Sequence, residues 1–511
     1  MKKQSLVKGT VILGFASIFA RFLGLFFRIP IQGLIGDEGM GYYQMSYPLY
    51  MTFVALASGI PIAMSKIIAE INAKNDYEGT KRILKDTLMF MIPIGIVASA
   101  IMFSFAKPII TGLKWHQNSY IAFLAISIAP IFVCIMCTFR GFFQGMQNMT
   151  YTGISQIVEQ LGRVIGGVLF AYLLLPKGIA FAAGGAALGT VIGGILGSIY
   201  LVIAYIRQRP IKRVNKNFKT KSMISEIAKA ALPISIGAAV GTVMSLIDSI
   251  IVPERLLVAG FTLEESAILY GQMTGKALTL SNVPLALSMA LCATLVPIIS
   301  EAYSTGRRFE LERRVEMSFK LSFVIALPCT VGLYTLAAPI MHLIFLKDVA
   351  GYNILKFVSL TIPFVIITQT TTALLQSVGA YLRPVYNLAI GCIIKVAISY
   401  MLVSITVLNI YGAVIGTMVG YIITVVLNMI QIRKIFNTKI DLVETLLKPA
   451  IGTLLMAFSV VFVYNTVYKY TISNTIACLF SIFAGVIIYL VAIITLKVFE
   501  IEDIKGKFIK S

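Results

Sequence analysis

Residues 9–36 read GTVILGFASIFARFLGLFFRIPIQGLIG, an apolar run whose only charges are Arg21 and Arg28. As a helix at about 1.5 Å per residue, it outspans the roughly 30 Å hydrocarbon core of a bilayer. Ser17, Arg21, Gly24, Arg28 and Gln32 recur at steps of four, three, four and four, so they share one helix face. An arginine at the bilayer centre costs about 2.5–3.5 kcal/mol on insertion scales and normally faces a cavity or a partner. The run therefore predicts a membrane helix with one polar stripe on a water-filled cavity, bent near its outer end at Pro30.

Working outward, comparable runs follow near 42–65, 87–106, 118–139, 153–175, 179–206, 229–252, 267–298, 321–346, 353–380, 384–408, 411–432, 449–468 and 473–496. Over 511 residues the chain is 58% hydrophobic and 13% charged, against about 25% charged in soluble domains. Hydrocarbon forces every backbone amide to be satisfied within the protein, and no alternation of period two suggests a barrel. The expected fold is all-α and integral to the membrane, with about fourteen transmembrane helices. Net charge is +21. With the N-terminus inside, thirty of the 43 basic residues fall in inner segments, six in outer loops and seven within spans. That bias explains the charge without nucleic acid and predicts both termini on the cytoplasmic side of the cell membrane. Lys2 and Lys3 precede a run with no small-residue cleavage site, so the first helix reads as retained rather than as a signal peptide. The six cysteines all sit in apolar runs and read as small buried hydrophobes.

The two halves look related. Gln144 and Gln376, and Arg163 and Lys395, are each 232 residues apart. Gly185, Gly189, Gly193 and Gly197 in span six are echoed by Gly412, Gly416 and Gly420 in span twelve. Spacing of four places each set on one face, where backbones can approach. A six-helix repeat preserves orientation, so the halves read as two parallel repeats around a central cavity. The expected organisation is a bundle over 1–206, a basic cytoplasmic linker over 207–228, a bundle over 229–435, and two further helices with a tail over 436–511.

Few residues could carry chemistry. GQMTGKA (271–277) is one residue short of a phosphate loop and lacks its Ser or Thr, and no loop is long enough for a catalytic domain, so an enzyme such as a glycan polymerase is disfavoured. The informative residues are charges within spans. Gln272 and Lys276 on span eight give a second polar stripe, with Lys276 roughly 13 Å deep and without an evident acidic partner. Glu159 precedes Arg163 by four, the favourable order for a helical ion pair. Lys395 has no obvious local partner, while Asp248 and Lys356 lie near predicted interfaces where snorkelling suffices. Bases outnumber acids within the spans, and surplus positive charge attracts anions. A lipid-linked pyrophosphate suits such a cavity.

Three stretches carry a family resemblance: VKGTVILGFASIFARFLGLFFRIPIQGLIGDEGMGYYQMSYPLY (7–50), ASGIPIAMSKIIAE (57–70) and SNVPLALSMALCATLVPIISEAY (281–303). They resemble the stage V sporulation protein B and polysaccharide-exporter branch of the multidrug/oligosaccharidyl-lipid/polysaccharide (MOP) superfamily, which is related to the lipid II flippase MurJ. The resemblance implies alternating access between two six-helix bundles, with two extra C-terminal helices forming a groove for a polyprenyl tail. Arg21, with Phe22, Leu23 and Gly24, matches the family's R-x-L-G start, and Arg28 resembles its second arginine displaced by one. Span two departs from the pattern, since YMTFVALASGIPIAM (50–64) is uncharged where MurJ-like proteins carry an arginine. The expected function is export of a lipid-linked anionic glycan precursor by a monomer among membrane lipids. Arg21, Arg28, Lys276, Ser17, Gln32 and Gln272 would line the cavity, and Glu159, Arg163, Lys395 and Asp248 would serve coupling or ion pairing. No metal or cofactor is called for; a Na+ or H+ gradient or the membrane potential would supply the energy. The alternative on the same fold is a multidrug/cation antiporter, which would want acids in the cavity.

Overall fold

The computed structural model describes residues 6–73, 76–208, 223–345, 348–436 and 443–498. Most of the basic linker falls outside these residues, as does the side chain of Arg21. Among the described residues every regular element is helical: α1 (Leu6–Ala57), α2 (Gly59–Ala73), α3 (Tyr77–Ser104), α4 (Ala106–Gly112), α5 (Ser119–Ile126), α6 (Ala129–Gly145), α7 (Met149–Leu174), α8 (Ile179–Arg207), α9 (Ile224–Val258), α10 (Leu263–Gly271), α11 (Leu278–Ser304), α12 (Arg308–Thr335), α13 (Ala337–Ile344), α14 (Tyr352–Ser359), α15 (Ile362–Ser377), α16 (Leu382–Val403), α17 (Tyr411–Phe436), α18 (Lys448–Thr471) and α19 (Asn474–Thr495).

Twelve stretches of helix are long and apolar enough to cross a bilayer, and a thirteenth is the bent pair Ile224–Ile236 and Gly241–Val258, whose arms meet at 57°. The sequence predicts fourteen. The difference arises at the N-terminus, where Ile12–Asn72 is one apolar stretch of 61 residues, about 90 Å if straight. It is broken at Gly36, with φ 65° and ψ −171°, a conformation that glycine alone adopts without a steric penalty.

Two compact units emerge, Met1–Gly271 and Gln272–Ser511. The predicted boundary lies earlier, in the linker. The reason for the difference is that α9 packs on α1 and α2, and α10 packs on α1, which draws residues 224–271 into the first unit.

Within each unit, glycine faces bring helices together. In lipid no hydrophobic force favours helix–helix over helix–lipid contact, so close backbone packing has to supply the attraction. A Cβ at Gly189 of α8 would stand 2.6 Å from the carbonyl oxygen of Arg163 on α7, and a Cβ at Gly162 would stand 2.9 Å from Gly193 Cα. In the second unit, a Cβ at Gly416 of α17 would stand 3.0 Å from the carbonyl oxygen of Lys395 on α16. The paired residues Arg163 and Lys395 thus sit against equivalent glycines inside their own units. Outward faces are apolar: Phe458 on α18 is 76% exposed and Phe483 on α19 is 66% exposed.

This packing generates a prediction. Gly189→Ala should lower the melting temperature of the detergent-solubilised protein by several degrees, because overpacking costs about 1–3 kcal/mol. Gly332→Ala, where a Cβ meets nothing within 4 Å, should leave it unchanged or raise it slightly through better helix propensity. Equal melting of both variants would show that the glycine faces do not hold the helix pair.

Candidate functional site

In the first unit, α1, α6 and α7 assemble a charged and aromatic cluster. Helical spacing puts Gln156, Glu159, Gln160 and Arg163 on adjoining faces of α7. Glu159 receives two guanidiniums: Arg140 Nη2 of α6 at 2.8 Å and Arg163 Nη2 at 3.8 Å. Arg140 also donates through Nε to Ser155 Oγ at 2.9 Å. Arg163 donates through Nη1 to the Tyr47 hydroxyl at 3.0 Å and lies over the Tyr47 ring, 5.8 Å from its centre. Tyr43, Tyr47 and Tyr50 step along α1 with neighbouring ring centres 5.4 and 5.9 Å apart. Tyr43 lies within Coulombic reach of both Arg28 and Arg163. Arg163 Nε and Gln160 Oε1 are buried without a hydrogen-bond partner, which is uncommon in folded proteins and marks a place where a further polar group would be stabilised.

The polar stripe on α1 divides. Ser17 donates to Gln156 Oε1 at 2.9 Å, and a Cβ at Gly24 would meet Gln160 Oε1 at 3.8 Å, so these positions face α7. Gln32 is buried and donates to Asp37. Arg28 is half-buried. Ser17 and Gln32 thus each bond a protein group, while Gln32 Oε1 is buried without a hydrogen-bond partner.

In the second unit, Lys276 lies in a π-helical turn, Gln272–Ala277, that leads into α11. Such turns interrupt the regular ladder and often mark functional positions. Lys276 is fully buried. Its ammonium pairs with Asp348 Oδ2 at 2.6 Å and donates to the Ala350 carbonyl at 3.3 Å. Asp348 Oδ1 in turn accepts from the Ala350 amide at 2.9 Å. Gly351 follows with φ 84° and leaves room for Gln272, whose Cβ would stand 3.0 Å from a Cβ there. The lysine expected to lack an acidic partner is thus a buried ammonium paired with a solvent-exposed carboxylate, because the 348–351 connection folds back onto the π turn. Lys395 is buried and not isolated. Asp248 is half-buried on α9, within Coulombic reach of buried Tyr270.

Sequence reasoning brings Glu159 and Arg163 together correctly but overlooks Arg140 and Asp348. Both sit near ends of apolar runs and read as loop charges. The aromatic steps Tyr43, Tyr47 and Tyr50 were legible as a helical face but carried no charge to draw notice. Among the described residues no group of three or more His, Cys, Asp or Glu side chains is arranged to hold a metal.

Comparison with known proteins places the fold and the family. The family model "Polysaccharide biosynthesis protein" matches residues 6–303, more than half of the chain, and the model MatE matches residues 274–401. Stage V sporulation protein B of Bacillus subtilis is 28% identical over 88% of this chain and 88% of its own. The lipid II flippase MurJ of the same organism is 27% identical over 84% of this chain and 83% of its own. Among solved structures, a lipid II flippase MurJ in an inward closed conformation superposes with a TM-score of 0.75 at 16% identity, covering 97% of this chain and 100% of that one. The described helices and these relatives identify a multi-pass, all-α membrane protein. The chain belongs to the polysaccharide biosynthesis protein family, in the MOP superfamily that its sequence resembles.

Proposed function

We propose that the chain is a flippase that carries a lipid-linked, pyrophosphate-bearing glycan precursor across the cytoplasmic membrane by alternating access, for cell-wall, spore-cortex or polysaccharide synthesis. One observation carries the reading. Between Ser17 and Gln32 of α1, along α7 and along α6, the charges are Arg21, Arg28, Arg140 and Arg163 against the single carboxylate of Glu159. Four guanidiniums for one acid leave a positive surplus that favours a diphosphate, which guanidinium meets through two parallel hydrogen bonds. The relatives named as a sporulation protein and a lipid II flippase support the same class of cargo. Transport, and not catalysis, is the work of such a site.

The match to the MatE model favours a second reading, a drug/cation antiporter. Such a protein needs a carboxylate that can exchange a cation for a drug. Glu159 is already shared by two guanidiniums, so the anion reading is preferred. The charge bias supports cytoplasmic termini, and a Na+ or H+ gradient or the membrane potential is the proposed energy source.

Three measurements test this. Reporter fusions at Lys510 and within residues 209–221 should both read cytoplasmic; an external signal from either would refute the topology. Arg21→Ala and Arg28→Ala should each slow flipping of a fluorescent lipid-linked diphosphate in reconstituted vesicles by about tenfold or more at normal protein level, since a hydrogen bond to a charged group is worth roughly 1.5–3 kcal/mol. Arg21→Lys should keep partial activity. Wild-type flipping in both alanine variants would sink the anion-site reading. Asp348→Asn should reduce membrane protein level, because it leaves the fully buried Lys276 ammonium without its carboxylate, and an uncompensated buried charge costs about 3–5 kcal/mol. Adding Lys276→Met should restore the level; no restoration would mean that pairing Lys276 is not what Asp348 contributes.

A further inference from the structure

A groove of about 650 Å³ opens on the outer surface of the first unit, between α3, α6 and α8. Its chemistry changes along its length. Lys81 and Lys85 stand at one end; Leu88, Ile92 and Phe139 line the remainder, and Tyr205 joins the wall. On α3 the groove residues recur at steps of three and four, so they form one stripe down the helix. The stripe begins just inside the helix N-terminus, where Asp76 Oδ1 caps α3 by accepting from the Gly79 amide at 2.8 Å. Phe139 and Tyr205 pack against each other with ring centres 5.8 Å apart and give the groove a firm floor.

We propose that this groove holds one anionic phospholipid, with its phosphate at Lys85 and Lys81 and an acyl chain laid along Leu88, Ile92 and Phe139. Charge and length both select that occupant. Lys81 shares Glu78 at 3.3 Å, and Arg82 lies 3.9 Å from Asp86. Lys85 has no carboxylate within ion-pair distance among the described residues, so it presents an ammonium to the groove that no neighbouring acid holds. From Lys81 to Pro93 the helix rises about 18 Å, close to the half-thickness of a hydrocarbon core of about 30 Å. A ligand with one charged end and one leaflet's depth of apolar body fits this; a soluble anion would leave the apolar wall uncovered. The topology proposed above would put the site in the cytoplasmic leaflet, where anionic lipids attract basic residues. The binding itself does not depend on that topology or on any cargo.

The test uses the full chain in phosphatidylcholine vesicles that contain no polyprenyl lipid. Met89, 64% exposed beside the groove, is replaced by tryptophan. The single native tryptophan, Trp115, is buried with its indole donating to the Ser249 carbonyl, and gives a constant background. Brominated phosphatidylglycerol and brominated phosphatidylcholine are compared at equal mole fraction. The anionic lipid should quench Met89→Trp with at least about fivefold higher apparent affinity, the factor that corresponds to roughly 1 kcal/mol for the one lysine, Lys85, that no carboxylate neutralises. Phe458→Trp, on a lipid-facing surface of the second unit, should show no preference. Lys81→Gln with Lys85→Gln should abolish the preference at position 89. Equal quenching by the two lipids in the Met89→Trp protein would overturn the proposal, as would a preference that survives loss of both lysines. Relief of quenching by about one polyprenyl phosphate per protein would reassign the groove to the cargo's tail. Flipping activity is not measured, so these outcomes stand apart from those that test transport.

Discussion

Glu159 is the residue on which the first unit's chemistry turns. It places one carboxylate among arginines that apolar surroundings would otherwise exclude. Burying two guanidiniums is tolerated only where the charge is shared and the remaining donors find acceptors. Arg140 shares its charge with Glu159 and donates to Ser155, and Arg163 meets the condition only in part, through Glu159 and the Tyr47 hydroxyl. The neutralisation is incomplete: one carboxylate cannot balance two arginines, and Arg163 Nε has no partner. The cluster is therefore stable enough to fold and still biased toward an anion.

The second unit solves the same problem differently. Lys276 has its own acid, Asp348, and the pair holds the 348–351 connection against a π-helical turn. A one-to-one pair leaves little net field at a distance. In the first unit the described positive surplus lies on α6 and α7 and at half-buried Arg28 of α1, while in the second the lysine that sequence alone assigns to the cavity is held by its own acid.

What was legible in the sequence follows from how local each cause is. A run of apolar residues is its own evidence for a span, and glycines four apart announce a close helix contact, because both depend on neighbours along one helix. Glu159 and Arg163 are readable for that reason. Arg140 and Asp348 are not, because their roles depend on where a distant helix passes. The break at Gly36 falls where the sequence ends the first span; what the sequence cannot show is that the helix resumes at once on the far side of it. The compact units divide after Gly271 and not in the linker for a related reason, since a linker is visible as composition whereas the packing of α9 on α1 and α2 is not.

Selectivity between anionic and cationic cargo can be argued from the same geometry. On a common fold, the two classes require opposite fields in the space that the cargo crosses. A cation carrier keeps a carboxylate whose partner can leave; here the carboxylate is held from two sides by side chains on two helices. Releasing Glu159 would strand two arginines in apolar surroundings, at a cost far above that of losing one surface pair. On the proposed reading an approaching diphosphate would require no such release, because Arg163 Nε has no hydrogen-bond partner to give up and Glu159 would keep Arg140. On that reading negative charge would enter without dismantling the cluster, whereas positive charge would have to break the contacts of Glu159 with Arg140 and Arg163.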